Sequence, residues 1–549
     1  MQKSAPNKRK AFDLARAVSS KIEDGNIKAA LRLLSSDDKP ADCSEAALAA
    51  MLARHPPAPA DRAPTPGPGT YTSLQITEDE VLKAIKSFPA GSSGGPDGFR
   101  PQHLLELVTC QSNGPALLSA VTNFVNLVLD GGCPAAVCPV FFGARLIALE
   151  KKSGGFRPIA IGYTFRRLIA KCANTYAQKK LANYFCPIQL GVAVSGGCEA
   201  AVHASRRFLE GMAVDDFLVK LDFSNAFNTV RRDSVLNAVA TRLPELYRFC
   251  NSAYCSPSTL QFGERLIASQ EGVQQGDPLG PLLFCLTIQP ILSSLSSKLR
   301  VGYLDDVTLG GKVDAVNKDV SSIVSCGITV GLQLNHSKCE IVSSSTIPPG
   351  LLISDFTHLQ PSNSVLLGAP LMGGATLDEA LENSCSTLST AASKLSCISA
   401  HDALVLFKSC VSTSKILHIL RSSPCSGHPT LMSIDGILRQ CVSRITNTGL
   451  SDDQWAQAAL PVKAGGLGIR SASRLAPSAY LSAFSASAQL QALILALPSV
   501  ALSHHEESAL AVWTSLSAVS SPPQPFPTKQ KIWDKAVVEA ESTRLLAIP

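Results

Sequence analysis

The segment Gly302-Tyr303-Leu304-Asp305-Asp306-Val307, running on into Thr308-Leu309-Gly310-Gly311, sets two adjacent carboxylates inside a short apolar stretch. Burying two like charges is costly unless a cation neutralises them, and a divalent metal is the natural counter-charge. Upstream, a third acid ends the strand-like run Phe217-Leu218-Val219-Lys220-Leu221-Asp222-Phe223, 83 residues before Asp305. A strand that ends on an acid, together with a hairpin that turns on two more, reads as an oxygen-ligand site for two-metal phosphoryl transfer.

Around these acids the pattern is mixed. A hairpin is expected from the strand Arg145 to Glu150, the turn Lys152-Ser153-Gly154-Gly155 and the strand Phe156 to Ile161, with Lys151, Lys152 and Arg157 on one basic finger. Ser224 to Val239 reads as mostly helix. Gly272-Val273-Gln274-Gln275-Gly276-Asp277-Pro278 reads as a loop entering a long apolar helix, with Asp277 capping it and Pro278 where a missing N–H costs nothing. Further helices are expected at His103–Leu107, 116–129 and 313–328, with Lys338 on a following strand. Strand pairs alternating with helices predict an α+β fold with an antiparallel sheet backed by helices.

At 549 residues the chain is too long for one core, and three or four units are expected. Residues 11–35 read as a helical pair around Gly25-Asn26, and Pro56 to Gly69 as an extended, semi-rigid linker. Beyond Leu377 the pattern is helical, through 381–420 and on to Ile445.

The formal charge is only +6, yet Arg145 to Lys180 holds nine basic residues against the single acid Glu150. Basicity this local suits a polyphosphate or nucleic-acid surface. The seventeen cysteines include no Cys-x-x-Cys pair, which argues against a disulfide scaffold and for reduced, intracellular thiols. Cys425-x-x-His428, near Cys410 and Cys441, lacks convincing zinc spacing. No apolar run approaches the length of a membrane span and the N-terminus lacks a signal-peptide core, so a soluble protein with no membrane partner is expected. Lys8-Arg9-Lys10 is a short basic run that would suit nuclear import, as action on chromosomal DNA would require.

Five segments occur in fixed order: Arg157-Pro158-Ile159; Asp222-Phe223-Ser224-Asn225-Ala226-Phe227; Gln274-Gln275-Gly276-Asp277-Pro278; Tyr303-Leu304-Asp305-Asp306; and Leu332-Gln333-Leu334-Asn335-His336-Ser337-Lys338. In order and spacing they resemble the reverse transcriptase domain, most closely that of non-LTR (LINE-type) retrotransposons. The resemblance covers roughly 91–373 and continues more weakly through a helical segment to Leu460–Ile469. It implies a right-hand polymerase: a helical N-terminal extension (1–55), the proline-rich linker (56–70), fingers with the basic hairpin (71–215), a palm (216–375), a helical thumb (376–450) and a helical C-terminal extension (451–549).

The resemblance also implies roles. Asp222 and Asp305 would bridge two Mg2+ ions, with Mn2+ as a substitute, the Phe223 carbonyl completing the nucleotide-side shell and Asp306 the nearby third acid. Arg157, assisted by Lys151 or Lys152, would meet the triphosphate, and Lys338 would protonate the leaving pyrophosphate. Phe227 would pack beneath the sugar and exclude a 2′-OH. Gln275 and Gly276 would lie against the nucleotide and template. Tyr303 would sit near the primer terminus, Leu366-Leu367-Gly368 would grip the primer, and Arg166 and Arg167 would contact primer–template phosphates. RNA template, a DNA or RNA primer and dNTPs are the expected partners. Leu304 and Asn228 depart from common versions of the motifs without removing a metal ligand. No endonuclease signature is present in residues 1–90, so that activity is expected from a missing domain or another protein. Two other readings stand beside this one: a domesticated, inactive RNA-binding relative, and an RNA-dependent RNA polymerase, against which Phe227 argues.

Overall fold

The computed structural model describes residues 8–23, 25–35, 41–150 and 154–548. Its strands are β1 (Ala144–Glu150), β2 (Phe156–Gly162), β3 (Asp216–Leu221), β4 (Ser258–Phe262), β5 (Arg265–Ser269), β6 (Leu299–Tyr303), β7 (Asp306–Lys312), β8 (Glu340–Val342), β9 (Thr357–Leu359), β10 (Val365–Leu366) and β11 (Ala369–Pro370). The expected mixture of helix and sheet is present.

The central sheet has the order β6-β7-β3-β8-β9, antiparallel except for the β8/β9 pair. The run Phe217-Leu218-Val219 is apolar on both sides because both faces of the sheet are covered. Phe217, Val219 and Leu221 enter the core shared with helices Arg232–Arg242, Gly280–Ser293 and Val313–Thr329. Leu218, Leu299 and Val301 pack instead with helix Gly197–Glu210. A strand buried on both faces holds its register firmly, so the residues at its end are placed firmly too.

A second sheet has the order β2-β1-β4-β5. The β1/β2 hairpin matches its expected bounds within one residue, whereas β4 and β5 were not anticipated. Helix Glu45–Arg54 covers this sheet, Ala47 and Met51 meeting Leu146, Ala160 and Phe262. Helices Lys8–Glu23 and Ile27–Ser35 join a different core, built from 375–395, 430–446 and 472–494.

Several expectations need correction. Residues 224–239 are mostly helix, as expected, but in two pieces: Ala226–Thr229 is a single turn, and Val230 and Arg231 are extended before Arg232–Arg242 begins. The interruption is held from outside, Arg231 N–H donating to the Val330 carbonyl at 2.9 Å and Gly272 N–H to Val230 at 3.0 Å. The helix after Pro278 starts only at Gly280, so Pro281 takes the early helical position expected of Pro278. Asp277 still braces this entry by accepting the Leu279 N–H at 2.9 Å. Lys338 lies in the turn His336–Lys338 ahead of β8, not on a strand.

The proline-rich stretch is extended but anchored. Arg62 Nε donates to Glu271 at 3.1 Å, Ala63 N–H to Asp233 at 2.6 Å, and Arg231 Nη2 to the Asp61 carbonyl at 2.7 Å. An extended proline-rich backbone has no internal hydrogen bonds and therefore leaves its carbonyls free for such side chains.

Ala400–Ser422 is, by length and composition only, apolar enough to cross a membrane, with a best-window mean hydropathy of 1.4, although Asp402, Lys408, Lys415 and Arg421 interrupt it. It is broken into Ala400–Leu406, a wide turn at Phe407–Val411 and Leu417–Ser422, and Leu406, Phe407, Val411 and Leu420 lie in the core. At Cys425-x-x-His428, burial pushes the Cys425 thiol up to about 12, and the His428 ring pairs with Asp378 at 2.8 Å. No disulfide forms among the described residues.

Candidate active site

β6 and β7 are joined by the shortest possible hairpin. Tyr303 pairs with Asp306, leaving Leu304 and Asp305 as the turn. Such turns match the twist of the strands when a turn residue takes a left-handed conformation, and Leu304 does so with φ of 59°. In the β3/β7 register Leu221 faces Val307, so Asp222, one residue on, arrives beside Asp306. Three carboxylates from two elements thus meet at one end of the central sheet.

Their electrostatics agree with that placement. Burial, and then the charge of Asp222, holds Asp305 above the usual aspartate range, with Arg157 and Lys338 opposing. Asp306 keeps an exposed edge, but the protein packed around it and the charges of Asp305 and Asp222 push it up to about 6, against Lys220 and Lys338. Among the described residues Lys338 pairs with the first of these acids, its exposed Nζ lying 3.6 Å from Asp222 Oδ1. One ammonium at that distance leaves a surplus of negative charge on hard oxygen donors, and this donor set fits divalent cations of the Mg2+ or Mn2+ type.

Phe223 pairs across an isolated antiparallel bridge with Leu334. The flanking bonds, Ser224 N–H to Gln333 and Asn335 N–H to Asp222, both 2.8 Å, make this a non-hydrogen-bonded pair. Its own carbonyl therefore faces away from the 333–335 segment. Phe227 is half-buried, its ring stacked 4.7 Å from that of Phe284. Gln275 accepts the Ala160 N–H at 2.8 Å, and a Cβ on Gly276 would come within 2.2 Å of the Ala160 carbonyl. The close approach that this glycine permits is to β2, which fastens the basic hairpin to the loop.

Arg157 stands exposed on β2 and its charge is felt at Asp305. Lys151 and Lys152 lie outside the described residues. Tyr303 joins the same apolar cluster as Leu366 and Leu367. Leu367 and Gly368 form the two-residue turn between β10 and β11, and the Leu367 carbonyl is 3.0 Å from His418 Nε2.

Two expected phosphate contacts are not available. Arg166 is buried and bound to Asp277 at 2.7 Å, and it also donates to Gln274 and to the Phe142 carbonyl. Its partners are the loop acid read from the sequence as a helix cap and the glutamine just before Gln275, so this guanidinium neutralises the interior and not a ligand. Arg167 donates to the Ser93 carbonyl and lies over the Phe88 ring, half-buried. Lys180 pairs with Glu245 at 2.6 Å. Much of the basic stretch is therefore consumed internally.

One residue at the site was not anticipated: Gln189, fully buried against the Leu304 turn. A lone glutamine in an apolar stretch carries no periodicity or spacing signal, and only contact across the fold reveals it.

Residues 149–370 match the family described as reverse transcriptase (RNA-dependent DNA polymerase). The retrotransposable element SLACS 132 kDa protein of Trypanosoma brucei gambiense is 26% identical over 282 residues, 49% of this chain and 23% of that protein. The Pol polyproteins of the R2 element of Nasonia vitripennis and of R2DM of Drosophila melanogaster are 23% and 25% identical, covering 50% and 48% of this chain. The chain spans 27% and 26% of those two proteins, so it matches about a quarter of each relative's length. The order of the motifs, the three acids at one sheet end and these matches agree: residues 149–370 form a reverse transcriptase domain of the non-LTR retrotransposon kind, built on a palm-type fold.

Proposed function

We propose that this chain is an RNA-directed DNA polymerase that extends a primer 3′-OH with dNTPs on an RNA template, serving retrotransposition. The observation that carries the proposal is the convergence of Asp222, Asp305 and Asp306 at the end of the central sheet inside the matched domain. The central sheet would be the palm, β1 and β2 with the helices of 71–215 the fingers, and 376–450 the thumb, with 451–549 extending it.

Asp222, Asp305 and the Phe223 carbonyl would hold two Mg2+ ions, which when bound activate the primer hydroxyl and neutralise the triphosphate and leaving pyrophosphate. The protein's own contribution is positioning and charge. Asp306, the third acid, stands beside the pair and would add its negative charge to the cation site. The planar fork of Arg157 reaches the triphosphate oxygens from β2. Lys338, its Nζ 3.6 Å from Asp222 Oδ1, would donate a proton to the departing pyrophosphate. The Phe227 ring lies under the sugar, while Gln275 and Gly276 line the base side. Tyr303 and the Leu366-Leu367-Gly368 turn hold the primer end.

The test is dTTP incorporation by the purified chain on poly(rA)/oligo(dT) with Mg2+ or Mn2+. Incorporation supports the proposal. Tight binding of the same substrate with no incorporation would instead favour the inactive RNA-binding relative.

A further inference from the structure

Gln189 is polar yet wholly buried, and its side chain bonds only backbone groups, those of Leu304 and of Gly191. Its Oε1 accepts the Leu304 N–H at 2.9 Å and the Gly191 N–H at 3.0 Å, and its Nε2 donates to the Leu304 carbonyl at 3.2 Å. The backbone alongside is stitched to β6 as well: Gly302 N–H donates to Ile188 at 2.8 Å and Leu190 N–H to Gly302 at 2.7 Å. Two glycines make room for this. A Cβ on Gly191 would come within 2.5 Å of the Leu304 nitrogen, and one on Gly302 within 3.1 Å of Gln189 Nε2.

The amide therefore engages both backbone polar groups of the one residue in the turn with a left-handed φ. For a leucine that conformation costs on the order of 1 kcal/mol, and it persists only where surroundings over-determine it. Asp305 is the next residue, so the backbone angles of Leu304 set the direction in which its carboxylate leaves the turn.

We propose that Gln189 is a positioning residue: its amide clamps Leu304 in the left-handed conformation and thereby aims Asp305 into the cation site. The match is specific. One N–H and one C=O need a neutral side chain with both an acceptor and a donor, whereas glutamate offers acceptors only and leucine offers neither. The effect on catalysis rests on the polymerase reading; the effect on cation binding does not.

The experiment follows Mn2+ binding by electron paramagnetic resonance, with primer–template present, beside dNTP incorporation and thermal melting. It compares the full-length wild type with Gln189→Leu, Gln189→Glu and the double variant Gln189→Leu/Leu304→Gly. Loss of an outer-shell partner typically weakens metal affinity or activity about 10–100-fold, and that range is expected for Gln189→Leu, with primer–template affinity unchanged. Glycine adopts a left-handed φ without penalty. The double variant should therefore recover Mn2+ affinity and incorporation while its melting temperature stays low, because the buried backbone groups still lack their partner. A residue that merely fills space would show the opposite, with the second change lowering everything further. If Gln189→Leu does not fold, Gln189→Glu keeps the acceptor, loses the donor to the Leu304 carbonyl and sets a charge against it, so it should still loosen the turn and weaken Mn2+ binding. Wild-type Mn2+ affinity in whichever of these folds, or no recovery in the double variant, overturns the clamp. A wild type that binds Mn2+ but never polymerises, with Gln189→Leu binding it weakly, would retain the clamp and sink the polymerase reading.

Discussion

Phe227 occupies an intermediate position between core and cleft, and its two surroundings make separable demands. One face stacks on Phe284, so Phe227→Ala should cost about 2 kcal/mol, roughly half the loss for a fully buried phenylalanine. If its remaining exposure lies under the incoming sugar, the same change opens space for a 2′-OH. The ratio of kcat/KM for dNTP over rNTP should then fall by at least about tenfold, since discrimination by a clash exceeds what one contact supplies. A lowered melt with an unchanged ratio would show Phe227 to be packing alone. Asp306 supports a prediction about pH. Its folded value of about 6 lies above the ordinary aspartate value near 3.9, so the native state holds the proton more tightly. Stability of EDTA-treated protein should fall as pH rises through about 4 to 6, and the cost is fully present above that window. Asp306→Asn, compared with wild type by urea melts at pH 4 and 7.5, should be relatively more stable at the higher pH. Because the side chain is exposed, screening keeps the gain to about 1 kcal/mol or less. A difference independent of pH would contradict the assignment.

Arg166 shows how an element can reassign a residue. In the sequence it belongs to a basic run, and basic runs are usually solvated or bound to phosphate. In the fold the helix Thr164–Phe185 turns it inward, where it meets Asp277 and Gln274 from the loop before Gly280–Ser293. Removing one partner of a buried ion pair strands the other charge, so Arg166→Ala should destabilise the protein by about 3–5 kcal/mol. The slope of primer–template affinity against salt should not change, because this residue contacts no phosphate; a shallower slope in a folded variant would reverse that conclusion. The strands tell a related story. β3, β6 and β7 were legible because an apolar run ending on an acid and a hairpin turning on two have few other readings. β1 and β2 were legible from alternation around Gly154-Gly155. β4 and β5 flank Gly263-Glu264 with similar alternation, Leu260 and Phe262 inward and Gln261 outward, and could have been read the same way. The break at Val230 could not, since it is imposed by Val330 and Gly272 from distant parts of the chain.

Across the whole molecule, the meeting of Asp222, Asp305 and Asp306 at one sheet end was legible because a strand ending on an acid and a hairpin turning on two more restrict how the chain can run. Gln189, the anchoring of 56–69 and the split docking of the N-terminal helices between two cores were not, because each depends on partners far away in sequence. The account as a whole says that the fold delivers three acids to one point and that binding of nucleic acid is carried elsewhere. Single-nucleotide incorporation by Asp222→Asn and Asp305→Asn, measured beside primer–template affinity and melting temperature, tests this most directly. Each change should lower the rate by at least about a thousandfold, from the several kcal/mol that metal charge stabilisation supplies, with folding and primer–template binding retained. Either variant keeping more than about a tenth of wild-type activity while still folded would contradict the account, since a tenfold loss is only about 1.4 kcal/mol.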